Sequence, residues 1–374
     1  MSTSRNNRAD DKRRGKKKRK ASPFARFMGG LLRFLLIVVE TALLLAMALY
    51  SVMYVLANGP SPTARDLFVM SVRETSAIGF LADLFFTEEE IAQIEANRFS
   101  GEYEETDTSL VTIPSERPDA DPSGGPQPDD WGYVDDDGDG IILLPVKGEG
   151  YNGYMMIVLD PSRVIMGSIP SALGHNGYTV AEFVEKWDAV AGINGGGFYD
   201  PDGQGNGSTP DSKIVCEGKI YYGDFGFGQY NCFVGFDSDY KMHVGQLTNE
   251  EIQEKNIRYG VCFGPALVVN GEPIDPDTMA SGVNPRSAIG QRSDGAVLML
   301  VIDGRQGTSL GASFRDLEDI MLSYGAVNAC NLDGGSSSLL WYQGSYVNNK
   351  AHVIGVRDIP TCFLVLKEGV TADG

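Results

Sequence analysis

The longest apolar run of the chain predicts a transmembrane helix near the N-terminus. The 23 residues from Phe34 to Leu56 contain one charged residue, Glu40. As a helix this run would extend about 34 Å, enough to cross the hydrocarbon core of a bilayer. A cleaved signal peptide has a shorter apolar region, of about 7–15 residues, followed by a small-x-small site. The Ala-x-Ala triplet of this region, Ala46-Met47-Ala48, lies inside the run, so we expect an uncleaved anchor over residues 34–57.

Two capping patterns after this run predict short helices. Thr63 and Thr87 each begin a capping box, with an acidic residue three positions later, and they open helices at about 63–84 and 87–97. We assign residues 58–98 to a helical membrane-proximal segment. It is either a stalk that sets the distance from the membrane or a surface that packs on the membrane or on a partner.

The next stretch, residues 99–140, is predicted to be an acidic linker. Residues 100–140 hold thirteen Asp/Glu and five Pro against one Arg, a composition that buries too little apolar surface to fold. Within it, Asp135-x-Asp137-x-Asp139-Gly140 resembles the start of a calcium loop. The twelfth position of such a loop is Val146 rather than Glu, so we favour a solvated acidic turn and leave any metal requirement open.

From Ile141 onward, short apolar runs bounded by Gly, Pro and Asp predict β-strands. Capping boxes at Thr179 and Ser313 predict two helices among them. Because strands and helices do not alternate regularly, we expect an α+β fold of mixed β-sheets with a few packed helices over residues 141–370. The predicted strands lie near 141–146, 153–159, 164–169, 190–193, 213–222, 232–236, 261–269, 296–302, 327–332, 339–342 and 361–366.

Charge is distributed unevenly along the chain. Residues 1–33 hold twelve Lys/Arg and two Asp, a net charge of +10, whereas residues 34–374 carry −29. A Lys/Arg excess before an apolar span predicts a cytoplasmic N-terminal tail, a bilayer around residues 34–57 and an extracellular body. The basic run Lys12–Lys20 is also typical of nucleic-acid binding. The acidic body lacks the clustered Lys/Arg that phosphate backbones require, so we expect no nucleic-acid partner.

Cysteine and histidine usage argues against a zinc site. The five cysteines are all C-terminal to the apolar span, none forms a CxxC pair, and the chain has three histidines. An odd number of cysteines leaves at least one unpaired, and spacing alone does not give the pairing. We therefore expect no Cys/His metal centre and no cofactor.

Four Gly-rich or charged clusters are the candidates for chemistry, because each follows or opens an apolar run where loops carry function. Each cluster taken alone is also explained by a tight turn or by a surface ion pair. Together they offer two carboxylates, which suit glycosidic cleavage, and two arginines, which suit a phosphate. The sequence therefore predicts a substrate with both a sugar and a phosphate. The clusters are residues 194–200, 284–290, 303–306 and 331–338.

In this order, four runs resemble the phosphodiester glycosidase domain family: Ala191–Gly195, Asn284–Gly290, Asp303–Gln306 and Asn331–Ser337. The resemblance covers residues 145–368. It implies cleavage of the bond between the anomeric carbon of a sugar and a phosphate oxygen, with release of the sugar and a phosphomonoester. Ser336 stands where the family usually has a third glycine, and Gly197 where an aromatic residue is common. These departures leave the identity of the sugar open.

The resemblance also implies site residues. Asp303 and Asp333 fall on positions that we expect to be catalytic. Arg286 and Arg305 are expected to hold the phosphate, and Asn194 to position the sugar. The further substrate-binding positions are Gly334, Gly335, Ser337 and Arg357.

These inferences lead to one function and two alternatives. We expect a bacterial, membrane-anchored, extracellular glycosidase that hydrolyses a sugar-1-phosphodiester of the N-acetylglucosamine-1-phosphate type in cell-envelope glycans. The first alternative is a non-catalytic carbohydrate-binding or exopolysaccharide-associated protein on the same fold. The second is a phosphodiesterase that breaks the P–O bond instead.

Overall fold

The structure is a computed structural model of the chain. It describes residues 23–73, 78–97, 103–114, 128–169, 176–200, 207, 209–222, 232–274, 282–351 and 355–372. Two compact units are present, Met1–Leu56 and Ala57–Gly374. The sites and contacts described below lie within the second unit.

One long helix, α1, accounts for the described part of the first unit and ends just beyond it. It spans Pro23–Asn58 and therefore begins eleven residues before the apolar run that predicted it. Within it, Phe27–Asn58 is long and apolar enough to cross a membrane, although a signal sequence passes the same test of length and composition. Residues 1–22, which form most of the predicted basic tail, lie outside the described residues.

Three short helices follow: α2 at Pro62–Arg73, α3 at Phe80–Asp83 and α4 at Glu88–Asn97. The capping box at Thr87 is present, since the Glu90 carboxylate accepts hydrogen bonds from the Thr87 backbone N–H and hydroxyl. The helix start predicted at Thr63 is shifted, because Thr63 lies inside α2. Ser61 Oγ instead accepts a hydrogen bond from Ala64 N, because α2 begins at Pro62, a residue suited to the first helical position.

The second unit otherwise consists of seventeen strands and three further α-helices among its described residues. The strands are β1 Ile141–Gly148, β2 Tyr151–Val158, β3 Val164–Ser168, β4 Ala189–Asn194, β5 Ile214–Cys216, β6 Lys219–Tyr221, β7 Cys232–Asp237, β8 Met242–Gly245, β9 Ile257–Phe263, β10 Ala266–Val269, β11 Glu272–Pro273, β12 Arg286–Arg292, β13 Val297–Ile302, β14 Ala326–Leu332, β15 Leu340–Tyr342, β16 Ser345–Tyr346 and β17 Thr361–Leu366. The helices are α5 Val180–Lys186, α6 Asn249–Glu254 and α7 Phe314–Ser323.

These strands form three antiparallel sheets. A seven-stranded sheet has the order β1-β2-β13-β12-β14-β10-β11, and two five-stranded sheets have the orders β16-β15-β4-β17-β3 and β6-β5-β9-β7-β8. The predicted α+β class with β-sheets and a few packed helices is confirmed, and the strand pairs among the described residues are antiparallel. The predicted capping boxes at Thr179 and Ser313 are present at the starts of α5 and α7.

The core lies on both faces of the seven-stranded sheet. On β13, Leu298, Leu300 and Ile302 belong to a cluster that includes Phe314 and Leu317 of α7. The alternate β13 residues, at 297, 299 and 301, belong to the cluster that joins this sheet to the two smaller sheets. Because both faces are covered, β13 is a continuous apolar run rather than an alternating one.

Two predicted strands are each divided in the structure. The run 213–222 forms a hairpin because Glu217 and Gly218 both adopt positive φ, at 53° and 74°, the backbone that a two-residue turn requires. The run 261–269 is interrupted at Gly264-Pro265, so that β9 and β10 lie in different sheets. Asn270-Gly271, a pair typical of hairpin turns, connects β10 to β11.

The described parts of the acidic stretch 99–140 pack against the rest of the second unit. We had expected a linker there. Val111 is buried, and Thr106 exchanges hydrogen bonds with the backbone of Val244. The buried guanidinium of Arg292 forms an ion pair with Asp129 at 2.8 Å. A few apolar and paired side chains are therefore enough to attach these parts, although the average composition is that of a linker.

Gly196, which follows β4, packs so closely against β9 that a side chain does not fit there. A Cβ there would lie 2.3 Å from Val261 Cγ2 and 2.8 Å from the Cys262 carbonyl oxygen. We predict that Gly196→Ala lowers the free energy of unfolding by about 1–3 kcal/mol, the usual cost of overpacking a core. Gly307→Ala is the matched control, because its Cβ would have no atom within 4 Å. Equal unfolding midpoints for the two variants, measured by near-ultraviolet circular dichroism in detergent, would contradict this packing.

Candidate active site

A cleft of about 290 Å³ opens at one edge of the seven-stranded sheet. β13 and β14 are both antiparallel to β12, so their C-terminal ends lie at the same edge as the start of β12. Arg286 pairs with Ile302 and Ser287 with Leu332 in this register. The described residues that line the cleft are Arg73, Gly197, Phe198, Asp200, Asp211, Phe263, Asn284, Arg286, Arg305, Phe314, Asp333, Gly334, Gly335, Ser336 and Arg357.

Asn194 lies beneath the cleft rather than in its lining. It is the last residue of β4 and is fully buried. Its side-chain amide donates to the Asp333 carbonyl oxygen at 2.6 Å. Its side-chain oxygen accepts from Ser287 Oγ at 2.7 Å and from Leu339 N at 3.2 Å. Asn194 therefore connects two sheets at the position from which the site residues emerge, and it does not reach the cleft itself.

Arg286 is held by contacts on three sides. Its Nε donates to the Ala312 carbonyl at 3.2 Å and one terminal nitrogen donates to the Gly282 carbonyl at 2.9 Å. Its guanidinium lies 4.2 Å from the centre of the Phe314 ring. A buried guanidinium in this arrangement is a fixed fork, suited to a phosphate or carboxylate.

Arg305 reaches the cleft from a tight turn after β13. Its φ of +58° is in the left-handed region, which is uncommon for a residue other than glycine. Such backbone conformations are found most often at active sites and ligand-binding sites. The Arg305 guanidinium donates to Asn284 Oδ1 at 3.2 Å. It lies against Gly335, where an added Cβ would approach it at 3.3 Å. Arg286 and Arg305 thus line the same cleft, as the phosphate prediction requires.

Three carboxylates line the same cleft. Asp333 follows β14, and Gly334 N donates to its Oδ1 at 2.8 Å. Asp211 lies beside Gly197, because Asp211 N donates to the Gly197 carbonyl. Asp200 forms an ion pair with Arg357, whose guanidinium lies 5.5 Å from the Phe198 ring centre. The site therefore combines buried acids with fixed cations.

Burial gives two of these acids unusual proton affinities. Burial, with the nearby charges of Asp333 and Asp200, raises the pKa of Asp211 to about 7. Burial raises the pKa of Asp333 to about 6, against the opposing effects of the Ser337 hydroxyl and the Arg357 charge. Neighbouring acids that titrate close to neutrality exchange protons readily and titrate as a pair. Such values are typical of groups that donate or accept protons in a reaction.

Asp303, the other predicted catalytic acid, does not line the cleft. It is 3% exposed, and its carboxylate accepts hydrogen bonds from Asn349 N, Asn349 Nδ2 and Asn348 Nδ2 at 2.9, 2.8 and 3.2 Å. Asn348 in turn donates to the Ser338 carbonyl and accepts from Leu340 N. In this geometry Asp303 supports the loop that follows Asp333.

Of the predicted site residues, six line the cleft and three do not. Asp303 and Asn194 lie beneath it. Ser337 is buried, and its neighbour Ser336 lines the cleft instead. The cleft residues are Arg286, Arg305, Asp333, Gly334, Gly335 and Arg357.

Sequence reasoning missed Asp211 and gave no role to Asp200. Asp200 lies in the cluster 194–200, where the glycines attracted attention instead. Asp211 neither ends an apolar strand nor precedes a glycine, so no local pattern marks it. It reaches the cleft because Phe198 and Pro210 pair as an isolated bridge, a contact that depends on the tertiary fold.

Comparison with known proteins identifies the domain that carries this cleft. Residues 188–366 match the family described as phosphodiester glycosidase. This part of the chain, just under half of its length, is similar to that family. The matched range contains every described residue of the cleft lining except Arg73.

Two relatives give the extent of the similarity. The SPbeta prophage-derived uncharacterized protein YomE of Bacillus subtilis (strain 168) is 31% identical over 199 residues, which are 51% of this chain and 29% of that protein. The chain thus spans less than a third of the length of this curated relative. The zebrafish catalytic domain of N-acetylglucosamine-1-phosphodiester alpha-N-acetylglucosaminidase, auto-inhibited by its pro-peptide, superposes with a TM-score of 0.50 at 20% identity. That match covers 61% of this chain and 82% of that one, and it shows a shared fold.

The acidic pattern at 135–140 lies outside the family match and outside the cleft. Carboxylate oxygens of Asp135, Asp137 and Asp139 lie within 4.8 Å of one another. Asp135 accepts hydrogen bonds from Gly138 N and Gly140 N, as an acidic turn does. The chain then enters β1 at Ile141, so it lacks the second helix of an EF-hand.

The raised pKa of Asp211 predicts a specific dependence of stability on pH. The folded state holds this proton more tightly than the unfolded chain, so its stabilising contribution is complete below about pH 4 and is lost as pH rises through about 7. We predict that Asp211→Asn melts at a higher temperature than the wild type at pH 8, with the difference shrinking towards pH 4. Asp239→Asn, at an exposed position, is the control. A difference between Asp211→Asn and wild type that is constant from pH 4 to 8 would contradict the shifted pKa.

Proposed function

We propose that this chain is a membrane-anchored hydrolase that cleaves the bond between the anomeric carbon of a sugar and a phosphate oxygen. The observation that carries the proposal is that two partly buried acids, Asp211 and Asp333, line one cleft together with Arg286 and Arg305. The phosphodiester glycosidase domain supports the same class of reaction. The acids suit proton transfer at a glycosidic carbon, and the arginines suit the phosphate.

The different pKa values of the two acids suggest a division of labour. With pKa values raised to about 6 and about 7, the two acids share one proton near neutral pH, and we assign that proton to Asp211 so that Asp333 acts as the base. Asp333 would take a proton from a water molecule as that water attacks the anomeric carbon. The C–O bond then breaks, its electron pair leaves on the phosphate oxygen, and Asp211 gives that oxygen its proton.

In this reaction the arginines would stabilise the leaving group. As the C–O bond breaks, negative charge develops on the leaving phosphate oxygen, so cations fixed beside it lower the energy of the transition state more than that of the ground state. Arg286 needs no rearrangement to do this, because its Nε and one terminal nitrogen are already fixed by backbone carbonyls.

This assignment replaces part of the expectation from sequence. Asp303 becomes a positioning residue for the loop through Asn348, and Asn194 becomes a clamp between sheets. The catalytic pair is Asp211 with Asp333. Gly334, Gly335 and Ser336 would lie against the substrate, and Arg357 would orient Asp200 and the Phe198 ring.

The location of the reaction follows from α1 and the charge split. We propose that α1 is an uncleaved anchor with its basic N-terminus in the cytoplasm, so that the glycosidase domain faces sugar-phosphate glycans of a bacterial cell envelope. Sugar-1-phosphodiesters of the N-acetylglucosamine-1-phosphate type are the substrates that we propose there.

Sugar release by acid variants tests this proposal. The full chain in detergent micelles is incubated with the methyl ester of N-acetylglucosamine-1-phosphate, UDP-N-acetylglucosamine and related sugar-1-phosphodiesters, and free sugar is measured by mass spectrometry. We predict that Asp333→Asn and Asp211→Asn each lower kcat/KM by about 100-fold or more, the usual contribution of a proton-transfer group. Asp303→Asn should lower the melting temperature but change kcat/KM by less than about tenfold, because it does not touch the substrate.

Other outcomes separate the alternatives. Binding of these compounds without turnover by the wild type would favour a carbohydrate-binding protein. Loss of activity in Asp303→Asn as large as in Asp333→Asn, with the fold intact, would return Asp303 to the catalytic pair.

A further inference from the structure

A second groove lies between helix α7 and the β1–β2 hairpin. It has a volume of about 520 Å³. Asp319, Ser323 and Tyr324 line it from the helix side, and Lys147 and Tyr151 line it from the hairpin side. None of these five residues belongs to the described lining of the cleft, and the proposed reaction gives them no role.

Helix α7 connects this groove to the cleft. Phe314, the first residue of α7, lines the cleft, and Asp319 and Ser323 follow on the same helix. At 1.5 Å per residue, Asp319 lies about 8 Å and Ser323 about 14 Å from Phe314 along the helix axis. A ligand chain that leaves the cleft along α7 therefore reaches the groove within a short distance.

The hairpin is also attached to the cleft, through the turn that carries Arg305. Leu310 N donates a hydrogen bond to the Gly150 carbonyl at 2.7 Å, and Arg305 N donates to the Leu310 carbonyl at 3.1 Å. Tyr151 follows Gly150 directly and is the first residue of β2. Both walls of the groove are thus held by elements that also form the cleft.

Two tyrosine rings in the groove are each packed on one side. Tyr324 stacks on Tyr133, with ring centroids 5.5 Å apart and 14° between the ring planes. Tyr151 lies across the hairpin, where a Cβ added at Gly148 would overlap its ring. Both groove tyrosines are half-buried. Rings held in this way offer contact area to a ligand at little cost in conformational entropy.

Polar side chains accompany these rings. Asp319 and Ser323 are four residues apart, on one face of α7, and both are exposed, as is Lys147 on the hairpin. In the part of the chain that the structure describes, the side chains of Lys147 and Asp319 form no hydrogen bond or ion pair. The groove therefore presents one ammonium group, one carboxylate and one hydroxyl, with no net charge.

This combination fits a neutral carbohydrate. A pyranose ring has a face of C–H groups, which packs on an aromatic ring, and a rim of hydroxyl groups, which form hydrogen bonds with polar side chains. One lysine beside one aspartate gives no excess charge to attract an anion. A lipid chain in the same groove would bury both charged groups without partners, at a high cost in free energy.

We propose that the groove along α7 is a second carbohydrate-binding site, which holds uncharged sugar units of a glycan while the cleft holds its sugar-1-phosphodiester. The link to the cleft rests on the proposed function, whereas binding by the groove does not require catalysis. Tyr151 and Tyr324 pack on the sugar rings, and Asp319 and Lys147 bind hydroxyl groups. The preferred substrate is then a glycan chain rather than a small sugar phosphate.

Isothermal titration calorimetry with neutral tetrasaccharides tests this proposal. The probes are the tetramers of N-acetylglucosamine, glucose and mannose, and the full chain is kept in a detergent without a sugar headgroup, because such a headgroup would compete. We expect wild type to bind at least one probe. Tyr151→Ala should raise the Kd about tenfold, since an aromatic contact is lost, and Tyr151→Phe should retain the wild-type value. Asp319→Ala, at an exposed position, should raise the Kd at least threefold without disturbing the hairpin.

Tyr221→Ala is the matched control, because it removes a half-buried tyrosine from β6 in another sheet and should leave the Kd unchanged. Asp333→Asn should also bind the tetrasaccharide as wild type does, although it lacks a catalytic acid. No binding of any probe, or unchanged binding in both Tyr151→Ala and Asp319→Ala, overturns the proposal. Binding that is lost in Asp333→Asn and kept in Tyr151→Ala overturns it as well, since the sugars then lie in the cleft. If wild type binds a probe through Tyr151 but releases no sugar from sugar-1-phosphodiesters, the proposed function fails while the groove is a carbohydrate-binding site.

Discussion

The buried side chain of Asn194 is the contact on which the geometry of the cleft depends. It joins β4 of one sheet to Ser287 on β12 and to the backbone of Asp333 after β14, both in the seven-stranded sheet. It also holds Leu339 N, at the start of β15. Because both polar atoms of this side-chain amide are used, the ends of four strands, β4, β12, β14 and β15, are fixed relative to one another. Loss of these bonds would leave buried polar groups unpaired, each at a cost of about 1–3 kcal/mol.

This constraint explains why two acids are kept at high pKa in a folded domain. Asp211 and Asp333 lie among buried groups, where charge is poorly solvated, and a protein tolerates this only when its framework prevents relaxation. Asn194 fixes Asp333 from below, while the bridge between Phe198 and Pro210 brings in Asp211. The free energy spent on burying these acids makes them available for proton transfer near neutral pH.

Much of this architecture was predictable from sequence. The features that were not predictable share a physical reason, which is that they depend on tertiary contacts. Capping boxes and strand runs follow from local residue patterns, and of the two acids that follow β13 and β14, Asp333 lines the cleft. Asp303 and Asp333 both follow an apolar strand and precede a glycine, so sequence alone does not separate them. What separates them is Asn348 and Asn349, which enclose the Asp303 carboxylate. Asp211 and Arg73 carry no local signal, because each reaches the cleft through tertiary contacts.

The central claim is that these acids and arginines act together to break the bond between carbon and oxygen rather than the one between phosphorus and oxygen. Hydrolysis in water enriched in ¹⁸O tests it most directly. The account predicts that mass spectrometry finds the label in the anomeric hydroxyl of the released sugar, measured before that hydroxyl exchanges with solvent, and none in the phosphate product. Label in the phosphate, with an unlabelled sugar product, would contradict it.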